Sequence, residues 1–202
     1  MKRFFVLILV VLAVNMGIQA QRFGVVGGMT FSEMTLRSGD YSYHGLKSKV
    51  GFTGGVILDM PISKFASVNT GLLYANRGYS GKNDILGDQI RGTLVTKNLE
   101  IPVNMSVKLR TPIIQPFVQA GPYMMIALSG TKKLDGVSHD VDFTGSNREM
   151  KRVDFGFNMG AGVEFLSFRF LVNYGLGFIN LSEISGIKTR NRALSGTIAW
   201  MF

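Results

Sequence analysis

An eight-stranded, antiparallel, up-and-down transmembrane β-barrel is the all-β fold that this sequence predicts, and three observations predict it. Segments of roughly ten residues in which every second side chain is apolar recur along the chain, the pattern of a membrane-crossing strand. The connections between these segments alternate between short and long. The last segment ends on an aromatic residue, Phe202. The length of 202 residues suits one domain. With 46% hydrophobic and 17% charged residues and a positive mean hydropathy, much of the apolar surface must face something other than water.

The N-terminus accounts for part of that excess. Lys2 and Arg3 form a basic start, and residues 4–14 form an apolar run too short to cross a bilayer as a helix. Residues 17–20 then offer a cleavage site, although Ile18 is larger than the residue usually found at that place. The expectation is a signal peptide over 1–20, cut after Ala20, and a barrel domain over 21–202. No later stretch reaches the length of apolar sequence that a membrane helix needs. The chain has no cysteine, which removes disulfides, thiolate chemistry and a lipid-modified cysteine together.

The strands follow in order. The first, about 22–32, alternates imperfectly. The second, about 51–60, sets Phe52, Val56, Leu58 and Met60 on one side. In the third, Val68, Thr70, Leu72 and Tyr74 oppose Asn69, Gly71, Leu73, Ala75 and Arg77. The fourth sets Leu99, Ile101, Val103, Met105, Val107 and Leu109 against Glu100, Pro102, Asn104, Ser106 and Lys108. The fifth, about 115–128, is less regular. The sixth is the clearest, with Val153, Phe155, Phe157, Met159, Ala161, Val163 and Phe165 against Asp154, Gly156, Asn158, Gly160, Gly162 and Glu164. The seventh sets Phe168, Phe170, Val172, Tyr174, Leu176 and Phe178 against Arg169, Leu171, Asn173, Gly175 and Gly177. The eighth, 192–202, carries Leu194, Ile198, Trp200 and Phe202 on one face. Period two places the two sets of each strand on opposite faces of the sheet. Glycine, asparagine, serine and single charges of both signs suit the cramped interior of a narrow barrel, which side chains fill.

Connections near 61–64, 110–114 and 166–167 are short, and those between strands 1 and 2, 3 and 4, 5 and 6, and 7 and 8 are predicted to be long loops. Short periplasmic turns and longer extracellular loops are the architecture of outer-membrane barrels, so the cell outer membrane is the predicted location. Pro102 removes a ladder donor in mid-strand and predicts a local bulge. Phe23, Tyr79, Phe168, Phe178 and Trp200 fit interfacial girdles. The amphipathic last strand resembles the signal read by the barrel-assembly machinery, an expected partner during biogenesis.

The stretches GFTGGVILDMPIS (51–63), GLLYANRGY (71–79), NLEIPVNMSVKL (98–109), QPFVQAGPYM (115–124), DFGFNMGAGVEF (154–165) and NRALSGTIAWMF (191–202) resemble the outer-membrane β-barrel domain of PorT-like proteins, common in Bacteroidota. They are spread in family order along most of the expected barrel domain, from 51 to 202, and Leu-Glu-Ile-Pro at 99–102 and Gly-Ala-Gly-Val-Glu at 160–164 are the most specific. The chain departs from the family at Gly71, where many members carry an acidic residue. The resemblance implies a small outer-membrane barrel. One member assists protein secretion, and that role is not carried over.

The formal charge is +9, falling to +7 without Lys2 and Arg3. The basic residues are scattered, with no Arg-rich helix or RNA-binding aromatic motif, so nucleic acid is excluded as a partner. Outer-membrane lipid and lipopolysaccharide are the expected neighbours. Parity sends Asp59, Arg77, Glu100, Lys108, Asp154, Glu164 and Arg169 into the lumen, four acidic and three basic. Burial of these charges requires pairing, which predicts a salt-bridge network stiffening the barrel, with a proton or ion path as the functional alternative.

His44 and His139 fall in predicted loops, with Ser138, Asp140 and Asp142 near the second. No nucleophile elbow and no metal-ligand spacing accompanies them. The reading is therefore a non-enzyme with no catalytic, cofactor-binding or metal residues and no cofactor. It is a membrane scaffold whose loops, especially 129–151, contact an envelope partner. A lipid A-modifying barrel enzyme and a soluble periplasmic lipocalin-like binder are the alternatives. The latter requires the greasy faces to point inward.

Overall fold

A computed structural model describes residues 21–38, 41–43, 47–85, 88–109, 111–134, 137–141, 143, 151–179 and 187–202. The expected signal peptide lies outside them. The barrel strands are β1 (Arg22–Ser38), β2 (Lys47–Pro61), β3 (Ala66–Ile85), β4 (Asp88–Lys108), β5 (Ile114–Leu134), β6 (Val153–Phe165), β7 (Phe168–Gly177) and β8 (Ile187–Met201). Each pairs antiparallel with the next, and β8 pairs with β1 from Gly24↔Met201 to Ser38↔Ile187, which closes the sheet. Phe23 and Phe202 finish the seam by exchanging backbone hydrogen bonds of 3.1 and 2.8 Å.

The predicted faces hold. Asp154, Gly156, Asn158 and Glu164 of β6 are buried, while Val153, Phe155, Met159, Val163 and Phe165 between them are exposed on the outside. The same alternation runs through β3, β4 and β7. In β1 the outward set is Phe23, Val25, Met29 and Phe31. Glycine at 24, 27 and 28, on both faces, is what blurred the pattern there. The inward greasy face of a lipocalin-like binder is thus overturned, because the large apolar side chains ring the outside. Phe23, Phe168 and Trp200 are exposed near the short-turn end and Phe178 toward the other, as two girdles require. The Tyr79 side chain lies outside the described residues.

Two expectations are corrected. The strand 3–4 connection is not a long loop. β3 and β4 stay paired as far as Ile85↔Asp88, leaving only residues 86–87 between them. Short strands also pair back within two other connections: Tyr41–Tyr43 on β1 and Val137–Asp140 on β5. Much of 129–151 is therefore strand. Beyond the apolar band both faces of a strand meet water, so the alternation that marks a strand in the membrane is lost.

Pro102 does not create a bulge. The β3–β4 and β4–β5 ladders skip pairs beside it, yet both resume in unchanged register. Thr70 Oγ1 donates to the Pro102 carbonyl at 2.9 Å, so the strand is held without its donor. The β4–β5 register instead shifts between Lys97 and Asn98. The extra residue is on β5, where Ala127 and Gly130 are buried and Leu128 and Ser129 are both exposed.

Among the described residues, Leu166 alone of the non-glycine residues has positive φ, 54°. It sits in the two-residue turn between Phe165 and Phe168, where such a short hairpin demands that conformation.

Candidate functional site

The lumen gathers every charged residue that parity sent there, in two layers. The lower layer, at the short-turn end, is built where six strands begin or end. Register sets Arg22 opposite Asp59, Asp59 opposite Asn69, and Glu164 opposite Arg169. Arg169 donates from Nε to Glu164 Oε1, from Nη1 to Asn69 Oδ1 and from Nη2 to Asp59 Oδ2, each at 2.8 Å. Its guanidinium also lies 5.3 Å from the centre of the Phe117 ring. Lys108 Nζ bridges Asp59 and Glu164, the latter at 2.9 Å. Arg22 Nη1 reaches Glu164 Oε2 at 2.8 Å. Beside this cluster the Ser67 and Ser106 hydroxyls share a 2.7 Å hydrogen bond, and Asn69 donates to Ser106 at 2.8 Å.

Arg22 is the member that sequence reasoning missed. Its parity with Gly24, Val26 and Thr30 was the available signal, hidden by the irregular first strand. With it, the two layers carry four acidic and four basic residues.

The upper layer is smaller. Arg77 pairs with Glu100, whose other oxygen accepts from Asn158 at 3.1 Å. The Arg77 guanidinium lies 5.5 Å from the centre of the Tyr123 ring. Asp154, one register step away across Met125, accepts from Asn191 at 3.1 Å. Each layer thus stacks an arginine on an aromatic ring of β5, a desolvated cation–π contact that adds to the ion pair. The rings fit because β6 carries glycine beside them. A Cβ on Gly156 would lie 2.4 Å from Tyr123 Cζ, and one on Gly162 would lie 2.6 Å from Phe117 Cζ.

Between the layers is a cavity of about 80 Å³, bounded by Arg77 and Glu100 on one side and by Arg169 on the other. One wall is apolar, from Val26, Ile57 and Leu73, and the other is polar, from Asn104, Gln119 and Asn173. The Oδ1 atoms of Asn104 and Asn173 are buried with no protein partner among the described residues. The polar side of the cavity has room for a few waters. Charges so paired, in a barrel of eight strands, make a packed interior rather than an open channel.

Among the described residues the catalytic candidates are not assembled into a site. His44 and Asp142 lie outside the described residues. Ser138, His139 and Asp140 are exposed on the short strand Val137–Asp140, opposite Lys133, Lys132 and Thr131. Among the described residues no three histidine, aspartate or glutamate side chains come close enough to hold a metal ion.

A family model described as an outer membrane protein beta-barrel domain matches residues 19–183. No curated protein matches the chain in sequence. Among solved structures, the chain is similar to the outer membrane protein OprG of Pseudomonas aeruginosa, at 13% identity and a TM-score of 0.49, covering 93% of this chain and 98% of that one. It is similar to Neisserial surface protein A at 14% identity and a TM-score of 0.48, covering 89% and 97%. The outer membrane enzyme PagL shows 12% identity and a TM-score of 0.48, covering 90% and 99%.

Proposed function

The chain belongs to the outer membrane protein β-barrel domain family, and from that premise we propose that it is a non-enzymatic scaffold of the outer membrane that presents its extracellular hairpins to an envelope partner or to lipopolysaccharide. The observation that carries this reading is the lumen, filled at two depths by ion-paired layers. A barrel packed in this way offers its surfaces, not its interior, for work. The long paired ends of β3, β4 and β5 supply the hairpins that such a partner would meet.

Within the family, the PorT-like group of Bacteroidota is the proposed placement. Its two most specific stretches each deliver a lumenal carboxylate, Glu100 from 99–102 and Glu164 from 160–164, and these two anchor the upper and lower layers. Export by the signal peptide and assembly by the barrel-assembly machinery belong to the same proposal.

The test is conductance. The refolded barrel in a planar lipid bilayer should give no current steps above the bare membrane, and reproducible steps would overturn the scaffold reading in favour of a channel. A second measurement addresses catalysis. Replacing both histidines, His44→Ala with His139→Ala, should leave the lipid A profile of the cell unchanged. An altered profile would make the lipid A-modifying alternative the working reading.

A further inference from the structure

The short-turn end of the barrel carries a feature that the lumen and the hairpins do not explain. Turn tips that face water are normally polar. Here each of the three short turns exposes large apolar side chains: Ile62 and Phe65 between β2 and β3, Leu109 and Ile113 between β4 and β5, and Leu166 between β6 and β7. Leu166 at 79% and Ile113 at 70% are the most exposed large hydrophobic side chains described, more so than those of the apolar band itself. The fourth quarter of the circumference, the β8–β1 seam, adds Phe202 at 66%.

These tips are fixed in place. Ile62 and Ser63 donate backbone hydrogen bonds to the Ala66 carbonyl at 2.9 and 3.0 Å, and Ser63 Oγ accepts from the Ala66 amide at 3.0 Å. Leu109 donates to the Pro116 carbonyl at 2.9 Å. Leu166 holds a left-handed conformation where glycine would be the unstrained choice.

We infer that this crown is immersed in the membrane, with the turns seated at the headgroup–acyl boundary of the periplasm-facing leaflet. Two observations select lipid over a protein partner. Ile62 and Leu109 prolong the outward period-two rows of Met60 and Val107, so the crown continues the lipid-facing band without a break. The apolar tips are also spread around the whole circumference rather than gathered on one side. A planar interface covers such a ring; a globular partner covers a patch. At the opposite end the described exposed side chains are mixed, with Lys97, Ser129, Lys133 and Arg192 beside Val50, Leu128, Val137 and Phe178. The exposed Lys64 sits among the tips, where its long stem can reach a lipid phosphate.

The single tryptophan of the chain makes the test direct. In a Trp200→Phe background, tryptophan is placed in turn at Ile62→Trp, Ile113→Trp and Leu166→Trp, with Lys133→Trp as the outer control and the unaltered chain, whose Trp200 faces lipid, as the apolar control. Each variant is refolded into phosphatidylcholine vesicles with and without brominated acyl chains, and its fold is checked by the mobility shift on boiling. The crown positions should show blue-shifted emission, quenching by bromolipid and protection from aqueous acrylamide, while the Lys133 position shows none of these. Acrylamide access at the crown equal to that at Lys133 would overturn the inference and make the ring a periplasmic protein-docking surface. Protection at one turn alone would overturn it too. Neither result depends on whether the barrel conducts or what its hairpins bind.

Discussion

Glu164→Gln should destabilise the barrel more than neutralising any other lumenal charge, by about 3–5 kcal/mol, the usual cost of leaving a buried charge unpaired. Glu164 accepts from three cations: Arg169 at 2.8 Å, Lys108 at 2.9 Å and Arg22 at 2.8 Å. Glutamine keeps the shape and removes the charge, so these three cations are left with Asp59 as the only carboxylate of the layer. The comparison that gives the prediction its edge is Arg169→Gln. Arg169 makes the larger number of contacts, yet its loss leaves Arg22 and Lys108 facing Asp59 and Glu164, two charges of each sign. If charge balance in a low-dielectric interior decides, the glutamate variant is the worse of the two; if lost hydrogen bonds decide, the arginine variant is. Arg22 is partly exposed, its side chain at 34%, so water screens some of the excess and the lower half of the range is expected. Urea titration of each variant in lipid vesicles, read by the mobility shift on boiling, ranks them.

The same lumen shows how far the sequence could be read. All seven interior charges were legible because period two is enforced wherever one face meets lipid and the other a packed interior. β6 and β7 displayed it over their whole length. Arg22 escaped because glycines at 24, 27 and 28 left the first strand with few side chains to mark its faces. The pairing itself was not legible. Arg169 touches Asp59 and Asn69, residues more than 95 positions away, through the curvature of a closed sheet rather than through spacing along the chain. The bulge at Leu128 and Ser129 was hidden for a related reason: one inserted residue switches the phase of the alternation, and a short apolar run reads the same on either side of it. The extended hairpin ending at Ile85 and Asp88 reads as loop in the sequence because no apolar alternation continues through it. The proline at 102 gave a true signal of a missing donor and a false one of a bulge, since its neighbours absorb the gap within one register.

The glycines of β6 carry the other large effect. Gly156→Val and Gly162→Val should each prevent or severely weaken folding, while Gly27→Val on the outer face should be tolerated. At Gly156 an added Cβ meets the Leu176 carbonyl oxygen at 2.2 Å and the Tyr123 ring at 2.4 Å; at Gly162 it meets the Phe170 carbonyl oxygen at 2.2 Å and the Phe117 ring at 2.6 Å. A ring could swing away, but the carbonyls belong to the β6–β7 ladder and can yield only by bending the sheet. Overpacking of this kind costs about 1–3 kcal/mol where side chains can adjust, and more where backbone is the obstacle. A further loss follows, because a ring pushed off its glycine no longer lies beside Arg77 or Arg169. Gly27 makes the control: a Cβ there meets nothing within 4 Å, and β-branched valine is favoured in strands. Shrinking the ring separates the two obstacles. If Gly162→Val is combined with Phe117→Ala and folding returns, the ring was the dominant clash; if it does not, the carbonyl of Phe170 sets the limit and the glycine is demanded by the sheet itself. Refolding yield in detergent, scored by the mobility shift on boiling, distinguishes the two.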